Sequence, residues 1–395
     1  MNLLRPNLMN RRRTIVLVAI LAAANLLYAA GLILHEFVAP ALEGAVRNDL
    51  PFPDFAAFWA AGALTLEGTP ALAYDWAAHK AVQSSELGFE YAALMPWQHP
   101  PHFQLLVAPF AAVPLWVGMA IWIALTLALY LRVCWRILPD PVVLAGALAA
   151  APTAMILVNG QTGFLTGGLL GLMLLNLDRR PVRAGIALGL LSIKPQLALA
   201  LPFALMAAGR WRVLLAATAT VLVSVALAWA LLGTATWAAF FESIGQTTHT
   251  LYGAEGRYEM YGSLYGWERY VGLAFLPAML VHGGAGLVVL GLTIAAWRAP
   301  HLSPEIKAAL LCFATAAVTP RILTYDLHIL VIGVLFQLRH ALRAGFYPGE
   351  QLLLAGVALA AFLSVLFAPG VAGFLALALF IGCWLGHGRS RRAMT

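Results

Sequence analysis

The residues of this chain that can do chemistry are few and stand far apart: Asp54, Asp75, His99, Lys194, Arg321, Asp326 and His328, with the amides Asn159, Gln161 and Gln196. A carboxylate such as Asp54 can take a proton from a hydroxyl or bind a cation. Its position before Phe55-Ala56-Ala57-Phe58-Trp59 also suits a helix N-cap. Asp75, after Ala73-Tyr74, reads as a turn or cap that can also reach a substrate. His99 precedes Pro100-Pro101 on a stiff extended stretch, where it can donate to a phosphate. Lys194, between Leu190-Leu191-Ser192-Ile193 and Pro195, is costly at membrane depth unless it pairs, lies near water or snorkels to the surface. A lipid phosphate is the anion most available there. Arg321 invites the same reading with a forked guanidinium. Asp326 lies at the head of an apolar run with His328, and Arg321 is its expected partner. Asn159 and Gln161 flank Gly160 in a tight turn, where their amides can hold sugar hydroxyls or cap helices.

The elements that must position these groups are set by composition. Of 395 residues, 62% are hydrophobic and 10% charged, with a mean hydropathy of +0.84. That excludes a water-soluble globular domain and predicts an all-α polytopic membrane protein, since the apolar runs lack the alternation of barrel strands. The net charge of +7 lies in short basic clusters between those runs, the pattern of cytoplasmic loops rather than of nucleic-acid binding. Cys134, Cys312 and Cys383 show neither metal spacing nor a disulfide framework.

Candidate spans are 14–34, 114–131, 141–157, 163–177, 211–232, 283–297, 308–318, 324–338, 351–367 and 371–386. A broken pair over 183–208 has Lys194-Pro195 at its tip, giving about 10–12 transmembrane helices in one domain, 1–395. With Arg5 and Arg11–Arg13 inside, one threading puts Asp140, Asp178, Arg210, Glu305, Lys307, Arg339, Arg343, Glu350 and the C-terminal Arg389, Arg391 and Arg392 inside, and both termini in the cytoplasm. The first run is read as a retained anchor. On the outer face the threading leaves Arg47, Lys80, Lys194, Arg257, Arg269 and Arg321. It also leaves a first extracytoplasmic loop, 35–113, and a second, 233–282, with Glu255 and Glu259. Both loops are expected to carry amphipathic surface helices.

Several stretches together resemble glycosyltransferase family 87. They are Asp-Phe-x-x-Phe-Trp-x-Ala-Gly (54–62), Tyr-Asp (74–75), His-Pro-Pro (99–101), Asn-Gly-Gln (159–161), Lys-Pro-Gln (194–196) and Pro-Arg…Tyr-Asp (320–326). Before Pro-Pro the family pattern has Tyr, whereas this chain has His99. The resemblance implies a bundle of the C-type membrane glycosyltransferase class and Asp54 as the first-loop catalytic acid. It also implies a polyprenyl-phosphate hexose donor, mannose foremost, used at the outer face of the cytoplasmic membrane. The acceptor is a lipid or a glycan. No cofactor is implied beyond the lipid-linked sugar, and one carboxylate without a second nearby gives little support for a divalent cation. The alternative reading is a polytopic transporter or lipid flippase, which broken helices and buried charges also suit. The large outer loops and the lack of a visible repeat between halves count against it.

Overall fold

A computed structural model describes residues 11–34, 54–88, 95–150, 152–252, 258, 261–367 and 372–388. Arg5, Arg47, Glu255, Arg257, Glu259 and the C-terminal Arg389, Arg391 and Arg392 lie outside the described residues, as do 35–53 and 89–94 of the first loop. Every regular element among the described residues is helical, apart from one antiparallel bridge between Tyr261 and Leu323.

In chain order the α-helices are α1 (Arg11–Ile33), α2 (Phe55–Leu66), α3 (Trp76–Leu87), α4 (Pro101–Val107), α5 (Leu115–Ile137), α6 (Pro141–Leu148), α7 (Pro152–Asn159), α8 (Gly163–Asn176) and α9 (Pro181–Leu190). There follow α10 (Leu201–Ala207), α11 (Trp211–Tyr252), α12 (Leu264–Tyr270), α13 (Phe275–Arg298), α14 (Pro304–Val318), α15 (His328–Ala344), α16 (Glu350–Phe367) and α17 (Ala372–Gly388). Among the described residues, five segments are long and apolar enough to cross a membrane: Arg12–Gly31, Leu115–Ile137, Trp211–Gly245, Phe275–Arg298 and Thr324–Ala344. The pair α6–α7, bent by 65°, makes six if it counts as one span. The chain is therefore an all-α polytopic membrane protein. Its other apolar segments are short because proline and glycine interrupt them, not because they are polar.

The interior is built on α14 and α15. Nearly all of Ile306–Ala317 is buried, and α15 packs against α14, α8 and α5. Glycines set these distances. A Cβ at Gly171 would meet Val133 Cγ1 at 2.4 Å, and one at Gly333 would meet Phe313 Cε1 at 2.5 Å. Gly185 and Gly189, one turn apart on α9, meet Ala216 and Thr220 of α11 in the same way. Around this core α1, α11 and α13 turn Leu, Val and Ile side chains outward, as lipid-facing helices do.

The 183–208 stretch is broken as its short arms predict. Helix α9 passes into a 3-10 turn, Leu191–Ile193, the chain bends at Lys194, and a second 3-10 turn, Pro195–Ala198, leads to α10. One expectation is corrected. Helix α2 is not a one-sided surface helix: Phe55–Phe58 and Ala60–Leu64 are buried, because the segment is apolar all round and has no face to give to water. The aromatic start of the second loop is a helix set off from the apolar part of α11 by a break at Gly233 (φ 78°, ψ 168°), so that α11 is two helices joined at a kink, and Phe240 of the second packs on Tyr74 of the first loop at 5.6 Å.

Candidate functional site

Asp54 immediately precedes α2, with helical backbone angles and no side-chain bond to the helix, so it does not serve as the cap that its position suggests. Its carboxylate turns across the bundle instead, where Gln161 Nε2 donates to Oδ2 at 2.8 Å. Gln161 can reach it because the chain turns sharply after Asn159: Gly160 takes φ +67°, closed by its N–H donating to Ile156 O at 2.7 Å. A Cβ at Gly160 would stand 2.7 Å from Phe55 Cβ, so the turn and the start of α2 are in close contact. Gln161 therefore supports the carboxylate.

Lys194, at the bend between the two 3-10 turns, is 4% exposed. Its ammonium donates to Asp326 Oδ1 at 2.8 Å and lies 4.7 Å from the centre of the Tyr325 ring. Asp54 is near enough to interact electrostatically with both Lys194 and Tyr325. The expected pairing of Asp326 with Arg321 is not formed. The 3-10 turn Thr324–Leu327 carries Asp326 inward to the lysine, while Arg321 Nη2 donates to Gln98 Oε1 at 2.7 Å. Close passage of this turn over α8 requires Gly163, where a Cβ would meet Tyr325 O at 2.1 Å.

The segment around Arg321 is stitched to its neighbours. Gly262 N–H donates to Ile322 O at 2.7 Å, and Ser263 Oγ donates to Pro320 O. Thr319 Oγ1 donates to Gln196 O at 3.0 Å, so the Lys-Pro-Gln tip and the Pro-Arg turn are tied through the backbone at Gln196.

His99 is in the same neighbourhood but is not placed to donate to a phosphate. Its Nδ1–H donates to Ile193 O at 3.1 Å, and Phe58, Trp97 and Phe103 surround the ring. Burial, then the positive charge of Lys194, pushes its pKa down to about 3. A neutral imidazole whose N–H is already used offers only an acceptor at Nε2. His99 thus fastens the first loop to the residue before Lys194.

His328 and Asp75 are not brought into the group. His328 is fully buried in the core, between Thr153 Oγ1 at 3.1 Å and Tyr325 O at 3.2 Å, with Tyr130 and Phe164 against its ring. Asp75 is an exposed cap of α3 that accepts from Ala78 N at 2.9 Å. Asn159 closes α7 on the Gly160 turn. Gln98, Tyr261 and Tyr325 are functional candidates that the sequence reading did not single out. Gln98 and Tyr261 gave no signal there, whereas Tyr325 sits beside Asp326 in the Tyr-Asp pair.

Buried polar contacts hold the first loop in place. His79 Nε2–H donates to Ala57 O at 3.0 Å and its Nδ1 accepts from Gln83 Nε2 at 2.8 Å, joining α3 to α2. Tyr74 OH donates to His99 O at 2.9 Å. Glu86 Oε1 accepts the Leu115 N–H at 3.0 Å, satisfying an orphan donor at the start of α5.

An apolar groove of about 540 Å³ opens between α10 and α13, lined by Leu199, Phe203, Leu280, Gly283, Leu287 and Val318, among others. In the sequence, Leu199 follows the Lys-Pro-Gln tip and Val318 precedes Thr319-Pro320-Arg321.

A family model described as glycosyltransferase family 87 matches residues 97–320, more than half of the chain. His99, Asn159, Gln161, Lys194 and Gln196 lie within the match; Asp54, Asp75, Arg321, Asp326 and His328 lie outside it. No curated protein and no solved structure matches the chain. Matched across the turns that carry Gln161 and Lys194, this chain belongs to glycosyltransferase family 87 and is a membrane glycosyltransferase, moving a sugar from a donor to an acceptor.

Proposed function

We propose that the enzyme transfers a hexose, mannose foremost, from a polyprenyl-phosphate donor to a hydroxyl of a lipid or glycan acceptor, with inversion at the anomeric carbon. In this reading the whole chain is one membrane domain. The reaction takes place at the outer face of the cytoplasmic membrane, and both termini are cytoplasmic. Asp54 takes the proton of the acceptor hydroxyl as its oxygen attacks the anomeric carbon from the side opposite the phosphate. The bond from that carbon to the phosphate oxygen breaks, and polyprenyl phosphate leaves with the bonding pair. Phosphate needs little acid assistance as a leaving group, so the main electrostatic task is to offset its charge, for which Arg321 is at hand, while the charge of Lys194 is taken up by Asp326.

The observation that supports this reading best is convergence. A carboxylate, two cations and a tyrosine from three distant stretches of sequence meet at the first loop. The apolar groove between α10 and α13 suits a polyprenyl chain, and the bond from Gln161 to the carboxylate of Asp54 suits a base held in one orientation.

Asp54→Asn keeps the shape and the contact with Gln161 but removes the base. Transfer from polyprenyl-phosphate hexose in membranes carrying this variant is expected to fall by roughly 10²–10⁴. Turnover near that of the wild type would remove Asp54 from the role.

A further inference from the structure

The two cations of the site are held in opposite ways. Lys194 is matched one to one by Asp326, its ammonium 2.8 Å from the carboxylate and both side chains almost wholly buried. That pair carries little net charge for a ligand to feel. Arg321 is held by neutral groups. Its Nη2 donates to the amide oxygen of Gln98 at 2.7 Å, and its guanidinium carbon lies 5.9 Å from the centre of the Tyr261 ring. No carboxylate pairs with it among the described residues, and its Nε–H is buried without an acceptor. A guanidinium has five N–H donors, and an unanswered one in a buried place is costly unless a ligand answers it.

Gln98 is itself rigidly placed. Trp97 on one side is 1% exposed; His99 on the other is bonded to Ile193 O, and Pro100-Pro101 follow. An amide oxygen orients the guanidinium as a carboxylate would, but leaves its charge intact.

We infer that Arg321 is the receptor for the donor's phosphate, and that Gln98 is the positioning residue that aims its guanidinium while keeping it uncompensated. Lys194 is a strut that keeps Asp326 and Tyr325 in place. The inference rests on the proposed transferase reading, whose donor carries that phosphate. The chemistry recognised is a phosphate ester anion with apolar substance attached, and Val318 of the apolar groove lies just before Arg321 in the sequence.

The test uses the full chain in nanodiscs. Binding of a short-chain polyprenyl phosphate and of inorganic phosphate is measured for wild type, Gln98→Glu and Gln98→Ala, together with the melting temperature of each. Gln98→Glu is nearly isosteric and gives Arg321 a carboxylate partner. It is expected to melt at or above the wild-type temperature and yet to bind polyprenyl phosphate at least ten-fold more weakly. The deficit should narrow as the pH is lowered and the introduced carboxyl is neutralised. Gln98→Ala, which loosens the arginine without cancelling it, is expected to lose less, about three-fold. A merely structural glutamine would give the reverse order, because an ion pair holds the arginine at least as well as an amide does. Equal binding by wild type and Gln98→Glu, or a larger loss in Gln98→Ala, overturns the inference and leaves the transferase reading standing. If the wild-type chain binds no polyprenyl phosphate, the donor assignment falls and takes this inference with it. Inorganic phosphate bound as tightly as the lipid, with the same response to Gln98→Glu, would keep Arg321 as an anion receptor but remove the lipid-linked donor.

Discussion

Lys194 and Asp326 show how a costly residue is made tolerable. An isolated ammonium at this depth would carry a desolvation penalty of several kcal/mol, and Asp326 answers it at 2.8 Å. Removing one partner strands the other, whereas removing both leaves only a gap. Lys194→Met and Asp326→Leu are therefore each expected to destabilise the protein by about 3–5 kcal/mol. The double variant should recover a large part of that. Apparent melting temperatures in detergent of the two single variants and the double would check it; a double variant that sums the two losses would argue against the strut. At the same scale, Gly160 is required twice, by its positive φ and by the approach of Phe55, and both requirements serve the contact between Gln161 and Asp54.

Among the elements, broken helices do the positioning. The break at Lys194 delivers a polar turn to the place where a continuous helix would carry apolar side chains, and the turn that follows the short helix α7 delivers Gln161. Backbone freed in this way is tolerated because the turns are covered by protein: Thr319 bonds to Gln196 O and His99 to Ile193 O. Helix α13 contributes a different device. A Cβ at Gly283 or Gly284 would meet nothing within 4 Å, so these glycines open the groove rather than permit close packing. Gly283→Leu, in a helix interior, should leave stability unchanged or raise it by up to about 1 kcal/mol through helix propensity. By filling the groove it should weaken donor use several-fold, seen as a raised KM for the polyprenyl-phosphate sugar against an unchanged KM for the acceptor. An unchanged donor KM would exclude this groove as the tail's path.

Across the whole molecule, ion pairs join distant stretches of the chain: Asp178 pairs with Arg210, Glu305 with Arg339 and Arg343, Glu350 with His387, and Lys194 with Asp326. Burial also governs the response to pH. His79 is pushed down to about 4 and His99 to about 3, in both cases chiefly by desolvation, while an unfolded histidine titrates near 6.5. The folded chain therefore binds fewer protons than the unfolded one across that window. Stability should be level above about pH 7 and fall as the pH drops from about 6.5 towards 4, by up to about 3 kcal/mol for His79 alone. Melting temperatures across this range should show the fall, and His79→Gln, which cannot be protonated, should flatten part of it. Equal slopes in the two proteins would mean that His79 does not report on folding.

How much of this was legible beforehand depends on the range of the interaction concerned. Apolar runs, basic loops and the proline and glycine breaks are local or compositional, so the helical membrane architecture and the bend at Lys194 follow from sequence alone. So does the short catalogue of candidate side chains, because a polar residue in so apolar a chain stands out by its rarity. Partners are another matter. That Asp326 goes to Lys194 and not to Arg321, that Gln161 serves Asp54, and that Gln98 holds an arginine more than two hundred positions away depend on which turns meet in space. The burial of α2 is of the same kind. Rarity and periodicity are properties of a residue and its neighbours along the chain, whereas pairing and burial belong to surfaces that exist only once the helices have packed.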